Sequence, residues 1–224
     1  MLIYGHRGSA ATHPENTLAS FQAAIATGCH GIELDVWYSA DRVPVVIHDR
    51  SLVRTTTGSG NVDETLLSEL QALDTGEGEP VPTLAQVLSL VPGSMHLDIE
   101  VKGQNGEDGL LEVLGERSRS SWAISSFDWT VLRKLRERSA EIDLWVLTDV
   151  VTDDAIREAA VLGATTLAVD HQYYDPKAAA KVAQTRLRVM TYTVNQADEC
   201  RRLRDLGVHA VCTDDPVRIL ESLR

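Results

Sequence analysis

Cysteine is scarce in this chain: Cys29, Cys200 and Cys212 are the whole set, and no two stand in a C-x-x-C spacing. An odd, widely separated trio offers no disulfide framework and reads as reduced thiols in or near the core. Long hydrophobic runs are also missing, so no stretch reads as a membrane span. Basic residues are the minority, with 21 Lys and Arg against 33 Asp and Glu for a net charge of -12. That field repels polyanions and argues against a nucleic-acid or anionic-membrane partner. There is no G-x-G-x-x-G and no P-loop to support nucleotide binding. The N-terminus runs directly into Leu2-Ile3-Tyr4 and turns polar at His6-Arg7, which reads as no signal peptide and a cytoplasmic location.

What is present is alternation. At 224 residues with 43% apolar content the chain is long enough for one large domain with a sizeable core. Short apolar runs suited to buried parallel strands occur at Leu2 to Tyr4, Gly31 to Tyr38, His96 to Val101, Trp122 to Ser125, Ile142 to Leu147, Thr166 to Val169, Arg188 to Val194 and His209 to Thr213. Val43 to Asp49 reads as an extension of the second strand or as its hairpin partner. Helical spacing follows Leu18 and stops at Gly28, opens again after a Thr83 cap, and recurs at Glu107 to Arg117, Trp129 to Ser139, Asp153 to Leu162, Pro176 to Gln184, Ala197 to Leu206 and Pro216 to Leu223. Eight β-α units in this length predict a single (β/α)₈ barrel over residues 1–224, with an open doubly wound sheet as the runner-up. Residues 50–82, rich in Gly and Thr, read as an elaborated loop with one helical stretch at Thr65 to Leu73.

On such a barrel, chemistry belongs to the C-terminal ends of the strands. Glu33 and Asp35 project from one side of the second strand, opposite Ile32, Leu34 and Val36. Two like charges on one side of an apolar strand either meet water or are neutralised, and a hard divalent cation is the usual neutraliser. The first strand ends in His6-Arg7, the third in Asp98-Ile99-Glu100-Val101-Lys102, and His48 follows the second. Taken singly, each has a plainer reading: a hydrogen-bonded structural histidine, or a surface Glu-x-Lys ion pair. Their coincidence at the ends of three consecutive strands favours one mouth carrying them all.

The chemistry then reads as follows. Glu33, Asp35 and Glu100 supply oxygen ligands that suit one cation, Mg²⁺ or Ca²⁺. Arg7 and Lys102 offer donors to an anionic oxygen. His6 and His48 exchange protons as general acid and base. Together they describe a metal-assisted phosphoryl or phosphodiester reaction. His13, His30, His96, His171 and His209 fall on loops or before strands and are assigned no catalytic role, and the four tryptophans read as packing residues.

The combination His6-Arg7-Gly8, Pro14-Glu15-Asn16-Thr17, Glu33-Leu34-Asp35-Val36, Val45-Val46-Ile47-His48-Asp49, Leu52 with Arg54-Thr55-Thr56, Glu100-Val101-Lys102 and Thr213-Asp214 with Pro216 resembles the glycerophosphodiester phosphodiesterases from end to end. The resemblance implies a (β/α)₈ barrel that uses a divalent cation to hydrolyse glycerophosphodiesters to sn-glycerol 3-phosphate and an alcohol. It implies metal ligation by Glu33, Asp35 and Glu100, acid/base work by His6 and His48, and phosphate contact by Arg7 and Lys102. It departs from the family at Tyr192, where Trp is common and an aromatic wall of the substrate site is expected, at Asp98, where Asn is frequent, at Gly207-Val208-His209-Ala210, and in the short segment after His48. Two other functions remain open at this level. One is a phospholipase-D-like hydrolase or lyase acting on lysophospholipids, which needs an apolar surface by the mouth. The other is a barrel kept only for binding, which usually shows the loss of a ligand or acid/base residue. The headgroup, the choice of cation, the order of attack and the oligomeric state are not written in the sequence.

Overall fold

The structure, a computed structural model, describes residues 1–115 and 117–223. Eight parallel strands close into a barrel: β1 (Leu2–His6), β2 (Gly31–Tyr38), β4 (His96–Val101), β5 (Trp122–Ser126), β6 (Leu144–Thr148), β7 (Thr166–Asp170), β8 (Arg188–Tyr192) and β9 (Ala210–Thr213), with β1 pairing both β9 and β2. A short ninth strand, β3 (Pro44–Val46), lies antiparallel to the end of β2. The barrel expectation therefore holds over the open-sheet alternative, because the β1–β2 pairing closes the ring.

Val43 to Asp49 forms the hairpin and not an extension of β2: Ser39 N donates to Val43 O across a turn in which Arg42 has φ +66°. Pro44 has no N–H to give, and the ladder runs only to Val46, so His48 sits in the loop beyond it. Other boundaries also move. β8 stops at Tyr192, β6 starts at Leu144 and β9 at Ala210. The helix expected over 65–73 contracts to α2 (Leu67–Leu70). α4 spans Glu107–Leu114, and part of the continuation expected to Arg117 lies outside the described residues.

The helices that wrap the barrel start and stop where their side chains dictate. Thr17 accepts from Ser20 N to open α1 (Leu18–Thr27), which ends on Gly28 at φ +73°, a left-handed conformation that favours glycine. Thr83 and Gln86 form a reciprocal capping box on α3 (Leu84–Leu90). Asp128 caps α5 (Trp129–Arg138) and Thr152 caps α6 (Asp153–Leu162). Asp175 and Asp215 cap α7 (Pro176–Val182) and α9 (Pro216–Ser222), each with Pro in the first turn, while α8 (Ala197–Asp205) has no side-chain cap.

Burial sorts the apolar residues into layers. The outward side chains of the strands pack beneath the helices in the main core, which includes Ile32, Leu34, Val36, Leu97, Ile99 and Ile124. Inside the barrel a second cluster of Tyr4, Ala123, Trp145, Leu147, Ala168, Met190, Ala210 and Cys212 fills the lumen. A third cluster, Val45, Ile47, Leu52, Val62, Leu70 and Val81, anchors residues 50–82 against β3. All three cysteines are buried and unpaired. No helix among the described residues is long and apolar enough to cross a membrane.

Candidate active site

Strand register brings the acids together. His6 pairs with Glu33, Glu33 with Asp98, and Asp35 with Glu100 across the parallel ladders of β1, β2 and β4. Register partners in adjacent strands point to the same face, so all five side chains enter the C-terminal half of the lumen. One oxygen from each of Glu33, Asp35 and Glu100 lies within 4.8 Å of the others, and all three residues are buried.

The surrounding residues complete a cavity of about 160 Å³ lined by His6, Arg7, Glu33, His48, Glu100, Lys102 and Tyr192, with Asp98, Ser125, Phe127 and Met190 among its other walls. Every residue singled out from the sequence is thus brought to one place, Asp35 lying directly behind Arg7 and Lys102. Arg7 has φ +53°, a conformation reached through a turn so tight that a Cβ on Gly8 (φ +90°) would lie 2.6 Å from the Ser20 backbone. That turn aims the Arg7 side chain inward, its Nε 3.1 Å from Asp35 Oδ2 and its Nη1 2.8 Å from Glu15 Oε1. Lys102 Nζ stands 3.2 Å from Asp35 Oδ1 and 2.6 Å from Glu100 Oε1.

The electrostatics of the acids are unequal. Burial opposes ionisation of Asp35, yet Lys102, Arg7 and His48 around it, with a hydrogen bond from Asn16 Nδ2 at 2.8 Å, hold it down to about 2. Burial pushes Glu33 well above the usual carboxylate range, and the charge on Asp35 pushes it further. Glu100 is raised for the same two reasons. Asp98, fully enclosed, is raised by burial to about 7. Asp35 Oδ1 is buried and makes no hydrogen bond among the described residues. Crowded acids that cannot all ionise, with Oδ1 of the one that does faced by the Lys102 ammonium 3.2 Å away, are a donor set that fits a hard divalent cation.

Both histidines are held from behind. His6 Nδ1 is 2.6 Å from Asp214 Oδ1, and Asn195 Nδ2 donates to Asp214 Oδ2 at 2.6 Å. His48 Nδ1 is 2.5 Å from Asp49 Oδ1, and Arg54 clamps Asp49 with two donors while two more reach Glu15. With Nδ1 engaged, Nε2 of each ring makes no hydrogen bond among the described residues, that of His6 standing 3.9 Å from Glu33 Oε2. Burial depresses His48 below 6.5, although Asp35 and Asp49 work the other way. Trp37 also contributes, its indole N–H donating to the His48 carbonyl at 2.9 Å. Asn16, Glu15, Asp49, Arg54, Asn195 and Asp214 were given no role from sequence. All but Asn195 lie inside the motif blocks, and that membership was the available signal.

The closed barrel and the acids, histidines and cations at its C-terminal mouth define a barrel enzyme of phosphoric ester chemistry. The sequence model of the Glycerophosphoryl diester phosphodiesterase family matches residues 6–218. A glycerophosphodiester phosphodiesterase of Caldanaerobacter subterraneus is 30% identical over 100% of this chain and 98% of its own. Among solved structures, an Oleispira antarctica phosphodiesterase in complex with the product sn-glycerol-3-phosphate superposes with TM-score 0.95 at 28% identity, covering 100% of this chain and 96% of that one. A Thermotoga maritima glycerophosphodiester phosphodiesterase gives TM-score 0.84 at 26% identity over 100% and 98% of the two chains. The chain belongs to the glycerophosphoryl diester phosphodiesterase family, and is a phosphoric diester hydrolase of that class.

Proposed function

We propose that the protein, acting as one barrel domain, hydrolyses small glycerophosphodiesters to sn-glycerol 3-phosphate and an alcohol, with one divalent cation, Mg²⁺ or Ca²⁺, held by Glu33, Asp35 and Glu100. The observation that carries this reading is the pair of carboxylate-backed histidines flanking a buried acid triad in one cavity. The Oleispira relative bound to sn-glycerol-3-phosphate supports the product. When bound, the cation supplies positive charge to the phosphoryl oxygens.

Arg7 and Lys102 add donors to those oxygens from the side of the barrel they share with the acids. One histidine accepts a proton from the attacking oxygen as the new P–O bond forms. The other gives a proton to the departing alkoxide as the old P–O bond breaks, so the sum over the reaction is addition of one water. The attacking oxygen is that of water, or first the neighbouring hydroxyl of the glyceryl arm, giving a cyclic phosphate that water opens. The two routes ask the same work of His6 and His48. A cavity of about 160 Å³ is well below the ~300–1,000 Å³ that drug-sized ligands occupy, which favours a deacylated diester over a lysophospholipid.

The test is release of sn-glycerol 3-phosphate from sn-glycero-3-phosphocholine, measured with each metal added back after chelation. Turnover is expected to vanish with chelator and return with a divalent cation. No turnover with any cation present removes the proposal.

A further inference from the structure

The C-terminal mouth is divided by charge. Arg7, Arg54 and Lys102 stand on the loops after β1, β3 and β4. The loops after β5 to β9, residues 127–128, 149–152, 171–175, 193–196 and 214–215, contain no Lys or Arg and five aspartates. Four of these are occupied: Asp128, Asp175 and Asp215 cap helices, and Asp214 holds His6. Asp149 is exposed and has no hydrogen-bond or ion-pair partner among the described residues. Beside it stands an aromatic wall. Phe127, 46% exposed at the cavity rim, meets Tyr192 edge-on with ring centroids 6.0 Å apart. Tyr192 O–H donates to Thr148 O at 3.0 Å, which ties the ring to the residue preceding Asp149.

The floor differs from the rim. Asp98 and Ser125 close the inner end of the cavity, both buried, with the Ser125 hydroxyl set beside the Asp98 carboxyl. The headgroup is the part that departs, and the cavity opens at the rim where Phe127 is exposed, so with phosphate fixed between the acids and the cations the headgroup leaves along the rim.

Resting on the hydrolase function proposed above, we infer that the headgroup lies against Phe127 and Tyr192 beside Asp149, and that this half of the mouth selects a cationic headgroup of the quaternary ammonium type. An aromatic face attracts such a cation through its quadrupole, and the unpaired carboxylate adds charge of the required sign.

The experiment compares kcat/KM for sn-glycero-3-phosphocholine with that for its uncharged isostere, in which 3,3-dimethylbutanol replaces choline. The two headgroups have the same shape; the ammonium also makes choline the better leaving group, a difference that the Phe127 and Asp149 variants leave unchanged, so the change in the ratio between wild type and variants carries the test. Wild type is expected to favour the cation about tenfold, the sum of an exposed cation–π contact and one rim charge. Phe127→Leu and Asp149→Asn are each expected to cut that ratio to roughly threefold, while Phe127→Trp, which keeps an aromatic face, retains it. A wild-type ratio near one, or a ratio untouched by both Phe127→Leu and Asp149→Asn, overturns the inference and leaves the hydrolase reading standing. Failure to turn over either diester with cation present overturns both together.

Discussion

The two ends of this barrel make an instructive pair. The N-terminal mouth holds the larger cavity, about 570 Å³ against about 160 Å³, lined by Tyr4, His30, His96, Asp143, Trp145 and Arg188. It is as rich in titratable types as the opposite end, but it holds a single acid, Asp143, which lies 3.7 Å from Arg188. Tyr4 Oη and His96 Nδ1 are 3.1 Å apart, the His96 ring stacks on Trp145 with centroids 5.5 Å apart and planes 8° from parallel, and His30 Nδ1 accepts from Ile3 N. Burial lowers His96 to about 4, so it is neutral under ordinary conditions. At the C-terminal mouth each histidine is instead backed by a carboxylate, and three buried acids crowd together. Volume does not mark the chemistry; crowded acids beside carboxylate-backed histidines do.

The contrast can be broken most severely through the histidines of the C-terminal end. His6→Ala or His48→Ala is expected to lower kcat by ~10²–10⁴-fold, the usual contribution of a general acid or base, with KM little changed. A fall below tenfold in either variant, by steady-state assay, would end the claim that they transfer protons. The same substitution at His96 is expected to leave the rate within a few fold.

His96 is instead expected to appear in stability. Its folded pKa, about 4, lies below the unfolded value of about 6.5, so the unfolded chain binds the proton first as pH falls. The neutral ring's stabilisation is complete above the unfolded pKa and is lost as pH drops from 6.5 towards 4. The loss is on the order of 3 kcal/mol, measured by urea unfolding across that window. His96→Gln should flatten this share of the slope; an unchanged slope would show that the stacked ring does not titrate as described.

A smaller effect is expected from the acids. In metal-free protein Glu33 is raised by burial and by Asp35, so folding disfavours its ionised form, and the penalty grows as pH rises above the unfolded carboxylate pKa. A bound divalent cation reverses that sign. At a hundred times its dissociation constant it should stabilise the fold by about 2.7 kcal/mol, read as an upward shift of the thermal midpoint at pH 8. Glu33→Gln should raise the midpoint of the metal-free protein and shrink the increment from the cation. Identical increments in both proteins would remove Glu33 from the ligand set.

Much of this was legible in the chain. The apolar runs gave the eight barrel strands because a parallel strand buried on both sides leaves a continuous signature. Glu33, Asp35, Glu100 and Lys102 were visible because ionisable residues inside such runs break that signature. Strand ends were less visible: β8 stops at Tyr192 and β9 begins at Ala210, both set by neighbours and not by local propensity. Asp214 behind His6 crosses 208 residues of sequence, and Arg54 reaches Glu15 across 39. Spacing along a chain carries no information about such pairs.

By itself the sequence determined the eight-unit alternation, the acids set into its strands, and the histidines that follow them, since each follows from periodicity and side-chain chemistry. Only the tertiary structure decided that the ring closes, which nitrogen of His6 and His48 is held by a carboxylate, which cation faces each oxygen of Asp35, and that Phe127, Tyr192 and Asp149 form one side of the mouth. Those outcomes depend on distances between strands far apart in the chain, which ring closure sets and local sequence does not.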